Sequence, residues 1–146
     1  RPPRSTLFPY TTLFRSPWIR AEELSNALNA LQLTGVHFRP IHFRPFYATF
    51  KGEQCQGVQL HITDFHAVRL TELQFYIMQE MNRLYPDRAV FDCANPSRFD
   101  MFDKVCGTNE IRKRFSETHR VDAIRDYFRK DEDAFRKLSR RYYLYR

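Results

Sequence analysis

The sequence predicts a small α+β domain, with a mostly antiparallel sheet and several packed helices. Three observations carry that expectation. Amphipathic helical periods bracket only one stretch of clear strand alternation, so strands and helices do not alternate as they do in parallel α/β folds. The apolar content is high, with 42% hydrophobic residues including 14 Phe and 8 Tyr, enough to build a core. The length of 146 residues suits one domain with at most an appendage.

The elements follow in order. After Pro17-Trp18-Ile19, the run AEELSNALNALQL repeats Leu24, Leu28 and Leu31 at helical spacing, with Glu22 and Glu23 in the first turn where the helix dipole favours them. Thr34-Gly35 is expected to end this helix, with Gly as a left-handed cap. Residues 36–50 are β-rich and aromatic. Pro40 and Pro45 mark them as edge or bulged strand, because proline gives a ladder no donor. The tetrapeptide HFRP occurs at 37–40 and again at 42–45; its odd offset would send the two copies to opposite faces of a strand. From Gly57 to Asp64 the chain alternates, with Val58, Leu60 and Ile62 on one side and Gln59, His61 and Thr63 on the other.

A helix is predicted from Thr71 to Tyr85 on the stripe Leu73, Ile77, Met81 and Leu84, and Pro86 ends it. Residues 87–107 read as turns with scattered aromatics, closing at Gly107. Thr108 can cap a short helix to Phe115. Val121, Ile124, Phe128, Phe135 and Leu138 predict a last helix, interrupted near residues 129–133. Tyr142-Tyr143-Leu144-Tyr145 is expected to add a strand.

Residues 1–16, RPPRSTLFPYTTLFRS, have neither period and carry three Arg without an acid. Back-translated, all sixteen codons resemble a common sequencing-library adapter. They are expected to be a non-native, adapter-derived segment, leaving residues 17–146 as the domain and its natural N-terminus lost. Without Arg1, Arg4 and Arg15, 21 basic residues face 17 acidic ones over 130 residues, a net +4 that gives little electrostatic case for nucleic acid. No apolar run is long enough to span a membrane.

Several constellations invite chemistry. His37, His42, His61, His66 and Asp64 lack the spacing of a zinc site, so no metal and no cofactor is expected. Cys55 with His61 could form a nucleophile pair, but nothing supplies the third, orienting group; a buried thiol beside a turn is the simpler reading. Asp64 follows the best strand, where loops build sites, although capping the next turn would account for it. Arg136, Lys137, Arg140 and Arg141 interleave with Tyr142, Tyr143 and Tyr145 as in single-stranded nucleic-acid binders. Acids upstream at Asp131, Glu132 and Asp133 instead favour a solvated helix face leading into a core-packed tyrosine strand.

The ordered set Pro17-Trp18-Ile19, the segment from Leu33 to Pro40, Phe43-Arg44-Pro45, Gly52 to Val58, His61 to Asp64, Leu84-Tyr85-Pro86, Gly107-Thr108 and Tyr143-Leu144-Tyr145 resembles the C-terminal domain of the exo-β-N-acetylmuramidase family, long catalogued as a domain of unknown function. The resemblance covers the chain from Pro17 to Tyr145. It implies a peptidoglycan-recycling glycoside hydrolase that releases terminal N-acetylmuramic acid from cell-wall fragments, exported to the periplasm or cell exterior. In that family a larger N-terminal domain carries the catalytic glutamate and a cleft lies between the domains. No catalytic residue is therefore expected here, and the fragment should be inactive, with an apolar face exposed where the missing domain docked. The resemblance implies substrate contacts from Phe43, Pro45, Cys55, His61 and Asp64, with Arg39 or Arg44 for the lactyl carboxylate of muramic acid. Residues 46–50 and the stretch after Asp64 depart from the family's usual pattern. The competing expectation is a stand-alone binding module for cell-wall glycan or nucleic acid.

Overall fold

The computed structural model describes residues 15–46 and 50–145, and the chain divides after Pro86 into two compact units. Most of the adapter-like segment, residues 47–49 and Arg146 lie outside the described residues.

The first unit is a three-stranded antiparallel sheet with two helices. Strand β1 (Arg15–Ser16) and strand β2 (Val36–Phe43) flank the central β3 (Cys55–Ile62). Helix α1 (Ala21–Ala30) packs on β2 and β3, burying Leu24 and Leu28, and helix α2 (Leu70–Leu84) packs on α1, burying Leu73, Ile77 and Met81. This is the predicted antiparallel α+β arrangement. The short β1, inside the segment excluded on sequence, was not anticipated. It needs only backbone pairing of Arg15 with Gly57 and Ser16 with Gln56, which makes little demand on side-chain identity.

The edge position of β2 explains its one proline, Pro40; Pro45, expected in edge or bulged strand, lies beyond the strand's end. In an antiparallel pair, alternate residues aim both backbone polar groups at the neighbouring strand or away from it. Phe38 aims them away: Asn29 of α1 accepts from its N–H at 2.9 Å and donates to its carbonyl at 2.7 Å. Ser25 Oγ donates to the same carbonyl at 2.8 Å. Pro40 shares that parity, so its absent N–H falls on the outer edge and costs the ladder nothing.

Gly35 does not cap α1 as expected. The helix ends at Ala30, and the left-handed residue nearest its end is Gln32. Gly35, at φ 77°, instead opens β2 beneath the turn after β3, where its carbonyl accepts from Thr63 N and Asp64 N. A Cβ there would lie 2.5 Å from the Asp64 carbonyl oxygen, so close backbone approach demands glycine.

The second unit is helical: α3 (Phe99–Cys106), α4 (Glu110–Thr118), α5 (Asp122–Arg129) and α6 (Glu132–Ser139), with a 3-10 turn over Arg140–Tyr142. Its interior holds Phe91, Ile111, Phe115, Val121 and Ile124, with the Phe91 ring edge-on to Phe99, Phe102 and Phe115. The expected break near residues 129–133 separates α5 from α6. Helix α3 was missed, although its ends are marked: Asn95 Oδ1 caps the Pro96–Arg98 turn leading into it, and Gly107 at φ 74° closes it.

The expected C-terminal strand is not formed. Tyr142 closes a 3-10 turn, and all four residues Tyr142–Tyr145 are exposed rather than packed in a core. β-propensity alone cannot make a strand without a partner, and every strand among the described residues lies before Pro86.

Candidate functional site

The β2–β3 register sorts the predicted site residues. One face of the ladder, with Phe38, Pro40 and His42 opposite Leu60, Val58 and Gln56, turns toward α1. There Gln56 Oε1 accepts from the backbone N–H of Ala21 at 3.2 Å, and His42 Nε2 lies 2.8 Å from Glu22 Oε1. Hydrogen bonding to His42 holds the Glu22 carboxyl below its ordinary range. His42 thus ties strand to helix.

The other face carries His37 opposite His61, Arg39 opposite Gln59, Ile41 opposite Gly57, and Phe43 opposite Cys55. Four of the seven predicted contacts, Arg39, Phe43, Cys55 and His61, therefore share one face. It is graded along the strands. His37, Arg39 and His61 are exposed at one end, where Arg39 Nη2 donates to Gln59 Oε1 at 3.0 Å. At the other end Phe43 is half-buried and Cys55 is 0% exposed.

The other three lie off this face. Arg44 follows β2 with opposite parity and is exposed; Pro45 is buried, its carbonyl accepting from Gly52 N at 2.9 Å to close the loop. Asp64 stands two residues beyond β3. Its Oδ1 accepts from His66 N at 2.8 Å and Ala67 N at 3.3 Å, so this carboxylate does build the turn after the strand. That leaves Oδ2 without a hydrogen-bond partner among the described residues, exposed beyond the His61 end of the ladder.

Chemically the face offers one guanidinium, two imidazoles, a carboxamide and an aromatic edge. These recognise hydroxyls and a carboxylate; its eight residues include no carboxylate pair of the kind that cleaves glycosides. The Cys55 side chain is wholly buried where β3 begins, the buried thiol of the simpler reading. Among the described residues no three His, Cys, Asp or Glu side chains converge as metal ligands would. Gln59 and His37 were not singled out as contacts; the alternation of residues 57–64 held the signal for Gln59, but only the register shows which strand residues stand opposite.

Comparison with known proteins agrees with this fold. The family model described as the C-terminal part of the exo-β-N-acetylmuramidase NamZ matches residues 4–145, beginning inside the adapter-like segment. The chain belongs to this family. A curated relative, the peptidoglycan β-N-acetylmuramidase NamZ of Bacillus subtilis (strain 168), is 30% identical over 142 residues, which are 97% of this chain and 33% of the relative. A solved structure of a DUF1343 family protein from Bacteroides fragilis NCTC 9343 superposes with a TM-score of 0.88 at 56% identity, covering 91% of this chain and 35% of that one. The chain thus spans about a third of the length of each.

Proposed function

We propose that residues 17–146 are the C-terminal accessory domain of a peptidoglycan-recycling exo-β-N-acetylmuramidase, residues 1–16 being translated from adapter DNA. On this reading the full enzyme releases terminal N-acetylmuramic acid from cell-wall fragments in the periplasm or outside the cell. The accessory domain helps hold the glycan, and catalysis belongs to an N-terminal domain outside this chain. The observation that carries the reading is the family match over nearly the whole chain, to a relative named for that activity and three times as long.

The outer face of the β2–β3 ladder is the glycan contact. Arg39 pairs with the lactyl carboxylate, a charge-assisted bond suited to guanidinium. His61 and the Asp64 carboxylate hydrogen-bond sugar hydroxyls, and the exposed part of the Phe43 ring lies against the apolar side of a pyranose. Arg44, off the face, is the second cation within reach of the loop. Pro45 and Cys55 shape the site by packing. Nucleic acid is not a ligand on this reading.

Titration of the chain with muramic-acid-terminated disaccharide peptides tests it. Binding that weakens about tenfold in Arg39→Ala, the scale of one lost charged hydrogen bond, is expected. No binding to the sugar, together with steeply salt-dependent binding to single-stranded DNA, would replace it with the nucleic-acid reading.

A further inference from the structure

The second unit ends in an amphipathic segment whose apolar side is largely exposed among the described residues, with Leu138 at 49% and Tyr142 at 75%. Phe135, Leu138 and Tyr142 recur at i, i+3 and i+7, one stripe along α6 and its 3-10 extension. Phe135 is 68% exposed, and beyond the stripe Leu144 and Tyr145 are each 89% exposed. The one element on which α6 packs extensively, among the described residues, is the turn that continues it. Arg136 is occupied by Glu132 at 2.8 Å, whereas Lys137, Arg140 and Arg141 have no acidic partner among the described residues.

We infer that the stripe Phe135–Leu138–Tyr142, with the tail Tyr143–Tyr145, is the surface on which this domain docks the remaining two thirds of the full-length protein. The inference rests on the proposed reading of the chain as one part of a longer enzyme, and adds which surface joins the parts. An isolated amphipathic helix gains little from folding unless its apolar stripe is buried. Exposed large apolar side chains grouped on one short segment mark an interface rather than a solvated face. The family relatives supply the missing mass: about two thirds of each lies outside the match. Lys137, Arg140 and Arg141, unpaired among the described residues, further specify a partner surface with an apolar centre and an acidic rim.

The test compares the same substitutions in two settings. Phe135→Ala, Leu138→Ala and Tyr142→Ala are combined in this chain, and in a chimera where it replaces the matching third of the Bacteroides fragilis protein. Alanine is a good helix former, so exposed truncations should leave the melting temperature of the isolated chain almost unchanged. In the chimera they should lower it by about 4 °C or more, because buried anchors are lost. Equal shifts in both settings, or none in the chimera, would overturn the inference. If the chimera does not fold, the aligned positions of the Bacteroides fragilis protein take the same substitutions with the same expectations. Binding of the isolated chain to anionic lipid vesicles, lost in the triple variant, would assign the stripe to a membrane surface instead. These readouts measure stability, so they fail or succeed independently of muramic-acid binding.

Discussion

The Asn29 side chain holds both backbone polar groups of Phe38, accepting from its N–H at 2.9 Å and donating to its carbonyl at 2.7 Å. One carboxamide on α1 thereby does for this residue what a neighbouring strand would do. It closes the outer edge of β2 at the point where Phe38, 1% exposed, anchors the sheet to the helix. Edge strands with open hydrogen-bonding groups recruit other chains, and here the helix caps that edge.

Asn29→Ala should therefore destabilise the first unit by about 2 kcal/mol, since a partly buried N–H is left unpaired. Ser25→Ala should cost less, because Asn29 still serves the carbonyl. Urea denaturation of the two variants checks the order.

Gly35→Ala should be the more damaging turn substitution. The new Cβ would meet backbone atoms, the Asp64 oxygen at 2.5 Å and the Val68 nitrogen at 2.9 Å, at a φ of 77° that side chains disfavour. A loss of about 3 kcal/mol or more is expected, visible as a collapse of the thermal transition.

In the second unit Arg112 grips both oxygens of Asp103, at 2.8 and 2.7 Å, while stacking 4.6 Å from the centre of the Phe99 ring. The hydrogen bonds from Arg112 hold the Asp103 carboxyl below its ordinary range. A depressed carboxyl stabilises the fold above its unfolded pKa, near 4, and that contribution disappears as pH falls through the folded value. Asp103→Asn should accordingly melt below the parent at pH 7, with the gap closing below about pH 4. Arg112→Lys should not restore the bidentate geometry.

The three thiols should separate in a reaction with a chromogenic disulfide. Cys93 is exposed and reacts first. Cys106 follows more slowly, its thiol pushed up by burial and then by the negative charge of Asp103. Cys55, wholly buried, reacts only when the protein unfolds. Rapid native labelling of Cys55 would contradict its place in the sheet.

Much of this fold was legible in the sequence because its signals are local. Leu24 and Leu28, then Leu73, Ile77 and Met81, carry helical periods that burial obeys. The alternation from Val58 to Ile62 fixed which β3 side chains share a face. What escaped depended on partners distant in sequence. Gly35 looked like a helix cap because the close approach of Asp64 lies across the hairpin. The tyrosine tail looked like a strand because its residue types favour one, yet the described residues of the second unit form no sheet for it to join. For the site, strand parity placed His61 beside Gln59, but only the register brought Arg39 and His37 opposite them. Asp64 was rightly expected to serve a turn, and its second oxygen keeps it available at the rim.

The central claim is that this chain holds glycan without cleaving it. The direct measurement is release of N-acetylmuramic acid from non-reducing ends of muropeptides by the purified chain, read against a reagent blank. The account predicts no release at any enzyme concentration, with saturable binding of the same muropeptides. Release above the blank, lost on substitution within residues 17–146, would contradict it and place the catalytic carboxylates inside this domain.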